Sequence, residues 1–239
     1  MRYQGGKSKI ATAIATKIRE LHPMATEIWE PFCGGGGVTG ALLRAGFNVH
    51  ASDNHEDLIL MWHAAQRGDD VFGSTTEAEY GLLRASAPSA RRGFIGYSMS
   101  FGGSWFGGFA RDSTGKRDFA LEAARNNAKI LASGSVEFKL ADYTATPDRA
   151  LVYLDPPYLG TKPYKDAPAF DHDAFWKWVQ QRSGATFISE LSGPEDMQIV
   201  WRKDLVSSNS RNSPTSKATA SHEPREERLY YKPGAPSLE

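Results

Sequence analysis

Between Glu27 and Asp53 the chain passes through a strand-like stretch (Glu27 to Phe32), a run of four glycines (Gly34 to Gly37), a helical segment (Val38 to Ala45) and a second strand-like stretch (Phe47 to Ser52) that ends at Asp53. Strand, glycine turn, helix and strand in that order predict the opening of a doubly wound, parallel α/β sheet. Glycines after a strand let backbone amides approach a ligand closely, and the N-terminus of the next helix favours an electronegative group. Asp53, about twenty residues on, stands where an acid accepts hydrogen bonds from both ribose hydroxyls of a nucleoside cofactor. A plain glycine turn reads the same on its own; the pairing with Asp53 favours a nucleoside ligand. A Gly-x-Gly-x-x-Gly fingerprint also runs through Gly35, Gly37 and Gly40, which keeps a nicotinamide enzyme as a rival. Glu30, just before the turn, is an odd neighbour for a pyrophosphate and suits a cationic sulfonium with its amino group.

The rest of the chain continues this rhythm with one interruption. Ile10, Ile14, Ile18 and Leu21 at helical spacing predict a helix over Ser8 to Leu21, after the turn at Gln4-Gly5-Gly6. A helix over Asn54 to Arg67, stopped by Gly68, and one over Lys116 to Ala132 flank a stretch of glycines, serines and aromatics. That stretch, 69–115, reads as a small, mainly helical insertion outside the sheet, with 1–68 and 116–239 as the domain that carries the sheet and the nucleoside-type turn. Further strands are expected at Val136 to Leu140, Leu151 to Leu154, Ala185 to Ser189, Ile199 to Val206 and Arg228 to Lys232. A helix is expected over His172 to Arg182 with Asp171 as its N-cap, and a mobile Ser-, Asn- and Pro-rich loop over Ser207 to Glu223.

Lys plus Arg and Asp plus Glu number 28 each, which argues against a uniformly basic nucleic-acid binder. Their distribution is uneven. Asp53 to Leu83 holds seven acids against one base, Arg67, whereas Arg84 to Ala128 holds seven bases against three acids, so one face can be positive on a neutral chain. The same charges also read as an ordinary solvated surface. No apolar run approaches the roughly 18 residues of a membrane span, and the N-terminus lacks the apolar core of a signal peptide, so a cytoplasmic protein is expected. A single cysteine, Cys33, excludes an internal disulfide and any multi-cysteine metal site, and no metal is expected.

The apolar run Leu151 to Leu154 is followed directly by Asp155-Pro156-Pro157-Tyr158. Prolines cannot donate to a ladder and fix their own φ, so the strand stops here and presents a carboxylate beside a flat ring in one rigid shape. Transfer to an exocyclic amine would use such a tip. The nitrogen of adenine's amino group is a poor nucleophile because its lone pair is delocalised into the ring. The Asp155 carboxylate and the Pro156 carbonyl, accepting its two hydrogens, would turn that lone pair toward an electrophile, while Tyr158 stacks on the base. The base must then be isolated, flipped from a duplex or already single-stranded. The competing use is a strand-ending turn in which Asp155 caps a neighbour.

Taken together, Arg2 to Ile10, Phe32 to Val38, Asp53, Ala141-Asp142-Tyr143 and Asp155 to Tyr158 resemble the motifs of the DNA adenine-N6 methyltransferases of the Dam type, the D12 class. The resemblance spans residue 1 to about 190 in the family's order: cofactor motifs, inserted recognition region, catalytic tetrapeptide. It implies a Rossmann-like methyltransferase sheet, S-adenosylmethionine as cofactor, double-stranded DNA as partner and a bacterial or phage-encoded enzyme of the restriction-modification kind, with a monomer slightly favoured. Tyr3, Gly6 and Lys7 would wall the cofactor's methionine end, and Phe32, Gly34 and Gly36, with Gly35 between them, its glycine loop. Asp53 would take the ribose, and Asp142 with Tyr143 the cofactor's adenine. Asp155, Pro156, Pro157 and Tyr158 would hold the target base, with Asp155 bordering the cofactor and Lys7 near the same pocket. Thr161 and Tyr164 would line the route of the flipped nucleotide. Gln4 stands where the family often has proline.

In the insertion, Arg91, Arg92, Arg111, Lys116 and Arg117 are candidates for phosphate contact, and Trp105 or Phe106 for a wedge into the base stack. An aromatic mini-core of Phe101, Phe106 and Phe109 is the alternative. The expected activity is methyl transfer from S-adenosylmethionine to the amino nitrogen of adenine. Cytosine-N4 methylation, which more often places serine where Asp155 stands, and a catalytically silent DNA-binding module are the other readings.

Overall fold

Alternation along the strands decides which faces of the sheet carry a core. On Val152–Leu154 and Thr186–Glu190, Tyr153 and Phe187 point into one apolar cluster, while Val152, Leu154 and Ile188 point into another. Both faces are therefore covered, which is the condition for a buried parallel sheet. The computed structural model describes residues 3–112, 114–159, 170–205 and 225–235.

Among the described residues seven strands form one sheet: β1 (Glu27–Glu30), β2 (Asn48–Asp53), β3 (Val136–Leu140), β4 (Val152–Leu154), β5 (Thr186–Glu190), β6 (Gln198–Leu205) and β7 (Arg225–Lys232). Their order is β3-β2-β1-β4-β5-β7-β6. The first five pair in parallel and β7 inserts antiparallel between β5 and β6. The core order 3-2-1-4-5 is the doubly wound one, and its direction reverses between β1 and β4, where ligands of such sheets bind beyond the strands' carboxyl ends.

The larger core is closed by helices α1 (Ala11–Leu21), α2 (Gly37–Arg44) and α3 (Glu56–Arg67), which supply Ile14, Ile18, Leu42, Leu58 and Trp62 to it. Helix α1 starts three residues later than its periodicity predicts, because Lys7 to Ile10 forms a turn whose Lys7 carbonyl accepts from Ile10 N and Ala11 N, each at 2.8 Å. The turn leaves the Lys7 side chain outside the helix. On the opposite face α7 (His172–Gln181) packs Phe175 and Val179 over β4 and β5, and the Asp171 carboxylate caps it from 2.9 Å, as its sequence predicts.

The insertion contributes no strand among its described residues, but it does not form a separate core. Its helices are α4 (Glu77–Arg84), capped by Thr76, and α5 (Ala90–Ser98), capped by Ser89. Phe94, Ile95 and Tyr97 of α5 join the large core beside Leu58 and Trp62, as does Ile130 of α6 (Phe119–Leu131). The fusion runs through Asp57, buried on α3, which accepts from Ser89 N at 2.8 Å and pairs with the Arg92 guanidinium. Gly93 lets α5 lie against α3 there: a Cβ on it would stand 2.1 Å from the Asp57 carbonyl oxygen. Gly93→Ala is expected to force the two helices apart at a cost of about 2 kcal/mol, the usual size of an overpacking penalty, read as a melting temperature lower by roughly 4–8 °C. An unchanged melting temperature would contradict this close approach.

Candidate active site

The glycine turn leaves β1 at the point where the sheet order reverses. Gly34 and Gly36 have φ of +45° and +72°, a region that side chains disfavour, and Cβ atoms on them would meet the Tyr3 ring at 2.7 Å and Trp62 at 2.6 Å. Tyr3 thus lies against the loop, and its packing there already demands glycine. Asp53, at the end of β2, accepts from Gly34 N at 2.9 Å and from His55 N at 3.0 Å, so its carboxylate fixes the turn. Burial outweighs these bonds and raises its pKa to about 6. Glu30, at the end of β1, is buried and accepts from Thr39 Oγ1 at 2.6 Å. Desolvation, opposed by Thr39 and reinforced by the charges of Asp155 and Asp53, pushes its pKa well up.

Beyond β3, Asp142 accepts from Thr144 N at 2.9 Å and from Thr144 Oγ1 at 2.6 Å, which closes a short turn. The turn presents Tyr143, whose ring stacks on Phe32 with centroids 5.6 Å apart, both against Phe170 and Phe175. Phe32, Asp142 and Tyr143 therefore belong to one wall between β1 and β3.

Asp155 follows β4, across the reversal from the glycine turn. Its carboxylate holds Lys7 Nζ at 3.1 Å, and the same ammonium lies 3.8 Å from Glu227 Oε1, 4.2 Å from the centre of the Tyr158 ring and 3.2 Å from the Gly5 carbonyl. The Tyr158 hydroxyl donates to Glu227. Glu190, at the end of β5, accepts from Leu159 N at 3.3 Å and Leu191 N at 2.7 Å and so ties the residue after the tetrapeptide back to the sheet. Burial raises Asp155 and Glu227 against the pull of Lys7, and raises Glu190 to about 7. The Tyr158 phenol is pushed up by burial and by the carboxylates beside it.

Sequence reasoning brought Lys7, Asp155 and Tyr158 to one pocket but missed Glu190 and Glu227. Glu190 ends its strand as Glu30 and Asp53 end theirs, a signal that was available. Glu227 lies just ahead of the strand expected over Arg228 to Lys232, and nothing local marks it until β7, which starts at Arg225, is placed inside the sheet.

Several residues expected at the DNA are engaged within the protein instead. Arg91 donates to Glu79 Oε1 at 3.0 and 3.1 Å and to the carbonyls of Val71, Gly73 and Ser74, holding the start of the insertion. Arg92 pairs with buried Asp57 and donates to Leu83 O at 3.0 Å, in the last turn of α4. Trp105 and Phe106 are only 7% and 3% exposed, packed on Tyr97, His55 and Tyr80. Neither ring is presented as a wedge, because the insertion needs both for its own packing. Phe101 is 77% exposed, in a loop whose Gly103 carbonyl accepts from Gln4 N at 2.9 Å, close in the chain to Lys7. Arg111 and Arg117 form surface pairs with Glu77 and Glu122, and Lys116 donates its backbone amide to Asp112. Thr161, Tyr164 and Ser207 to Glu223 lie outside the described residues.

Residues 3–86 match the model of the family described as D12 class N6 adenine-specific DNA methyltransferase. The matched stretch contains Tyr3, Gly6, Lys7, the glycine turn and Asp53; Asp142 and Asp155 lie beyond it. No curated protein matches the chain. No helix among the described residues is long and apolar enough to cross a membrane.

The raised pKa of Asp53 has a pH consequence. Since the folded carboxyl titrates near 6 and the free one at 3.8, the fold binds more protons across that interval, and stability without ligand falls as pH rises through it. Asp53→Asn is expected to remove this fall, worth up to about 3 kcal/mol, so the difference in melting temperature between variant and parent shifts in the variant's favour from pH 4 to pH 6. Parallel pH profiles would contradict the assignment.

Proposed function

We propose that this chain, residues 3–86 of which match the model of the D12 class N6 adenine-specific DNA methyltransferases, moves a methyl group from S-adenosylmethionine to the N6 amino group of an adenine swung out of duplex DNA. The observation that carries the finer reading is the position of Asp155 and Tyr158, directly across the sheet reversal from the glycine turn fixed by Asp53. A carboxylate, a ring and a nucleoside-type turn then border one crevice.

The acids of this edge fit such a cofactor. Glu30, Asp53 and Asp155 are all raised by burial, and Glu30 is raised further by the charges of the other two, so a cationic ligand between them relieves a cost the fold already bears. Glu30 would face the amino group, the Gly34 to Gly36 turn the methionine end, Asp53 the ribose, and Asp142 with the Phe32 and Tyr143 stack the adenine. When bound, the cofactor supplies an electrophilic methyl group on a sulfonium. Asp155 and the Pro156 carbonyl then accept the two hydrogens of the target amine and aim its lone pair, while Tyr158 holds the base plane and Pro157 fixes the backbone between them.

For the DNA, the exposed Phe101 takes the wedging role that the sequence assigned to Trp105 or Phe106, and Arg111 in the insertion, together with Lys116 and Arg117 directly after it, supplies cations at this surface. The exposed ion pairs of Arg111 and Arg117 hold them only weakly, so phosphate can replace the carboxylates.

Incubating the protein with duplex DNA and cofactor labelled in the methyl group should yield label in N6-methyladenine; label in no adenine across many sequence contexts would overturn the reading. Asp155→Ala is expected to lower transfer by at least 10²-fold, the usual scale for an orienting group, with cofactor affinity nearly intact, whereas Asp53→Ala mainly weakens the cofactor. The reverse pattern would exchange their roles. Phe101→Ala is expected to lower methylation of duplex DNA by roughly tenfold or more while sparing single-stranded DNA, which needs no unstacking. Equal losses on both substrates would remove Phe101 from that role.

A further inference from the structure

Lys7 stands where the substrate must go. Its ammonium holds Asp155 Oδ1 at 3.1 Å, the atom proposed to accept the adenine amine, and lies 4.2 Å from the centre of the ring on which the base would stack. It therefore occupies both contacts that a flipped adenine requires. The base cannot settle until this cation moves, and the Lys7 side chain is only 9% exposed, so a move that left it unpaired would strand a desolvated charge.

Glu227 resolves this conflict. It comes from β7, the antiparallel strand set between β5 and β6, and its side chain is 4% exposed. Its Oε1 is 3.8 Å from the same Lys7 Nζ, so a shift of about 1 Å brings the pair to hydrogen-bond distance. The same carboxylate accepts the Tyr158 hydroxyl, so the group that can receive the cation also fixes the ring. Of the other acids in the cluster, Glu190 is already held by two backbone amides and Asp155 is the atom being vacated.

We propose that Glu227 is a positioning residue to which Lys7 is handed over when the target amine takes Asp155, with Tyr158 kept in its stacking plane by the same carboxylate. This rests on the adenine methylation proposed above. Lys7 then acts as a stand-in that keeps the pocket shaped and neutralised between substrates, and Glu227 makes its displacement cheap. Glu227 forms no bond to the reacting atoms, and the transfer step is left as described.

The test is a double-substitution cycle on the full-length protein with cofactor product bound, reading affinity for a duplex that carries the methylated site found with the parent enzyme. Binding, unlike turnover, stays measurable if Lys7 is also needed for chemistry. Glu227→Gln is expected to weaken duplex binding about tenfold in the parent, where a cation must be rehoused, and less than twofold in a Lys7→Met background, where none remains. Its affinity for the cofactor alone should stay within about twofold of the parent's. On the parent duplex with the target adenine replaced by purine, which lacks the amino group and leaves Lys7 in place, the loss should disappear. If Glu227→Gln lowers the melting temperature appreciably, Glu227→Asp takes its place, keeping the charge but withdrawing the oxygen from Lys7, and the same pattern is expected. Equal losses in both backgrounds, or no loss in the parent, would overturn the hand-over. The two proposals fail separately: a parent that never forms N6-methyladenine sinks the function, whereas a parent that methylates normally with an additive cycle sinks only this inference.

Discussion

Parallel strands end on the same edge of a sheet, and here that edge is lined with acids that the fold buries. Glu30 closes β1, Asp53 closes β2, Asp155 follows β4, Glu190 closes β5, and Glu227 joins them from β7. Each is raised by desolvation, and among the described residues Lys7 is ion-paired with two of them. A buried set of like charges is costly unless something cationic is held among them. The rest of the site can be read as a response to that constraint. The N-terminal turn delivers Lys7, the glycine turn is pinned by Asp53, and a positively charged ligand at this edge would offset the cost that remains.

Much of the fold is legible in the sequence because its signals are local. Val136–Leu140 coincides with its predicted strand, Gly46 and Gly68 stop helices α2 and α3 with φ of +85° and +74°, and Asp171 caps α7 as expected. The helix expected from Ser8 starts at Ala11 instead, because periodicity does not reveal that Lys7 to Ile10 spends its bonds on a turn. Such a turn leaves no trace in the apolar pattern.

The site is legible where it depends on unusual local chemistry and illegible where it depends on long-range pairing. The tetrapeptide at Asp155 and the glycine turn announce themselves by composition. Glu227 does not, since its role requires β7 to fold back between β5 and β6 and to meet Tyr158, 69 positions away along the chain. Arg91 and Arg92 mislead for the same reason. Their charge suggests phosphate, yet the carbonyls of Val71, Gly73 and Ser74 and the buried Asp57 need donors, and only the folded chain shows that these two arginines supply them. The exposed ring of the insertion is consequently Phe101, not Trp105 or Phe106.

The central claim is that the glycine turn and the Asp155 tip border a single crevice, with the cofactor on one side and the base on the other. A crystal structure with the demethylated cofactor, S-adenosylhomocysteine, tests it most directly. The account predicts the amino-acid end at Gly34 to Gly36, the ribose on Asp53, and the sulfur facing Asp155 with room for an amine between them. A cofactor bound elsewhere, or a sulfur walled off from Asp155 by protein, would contradict it.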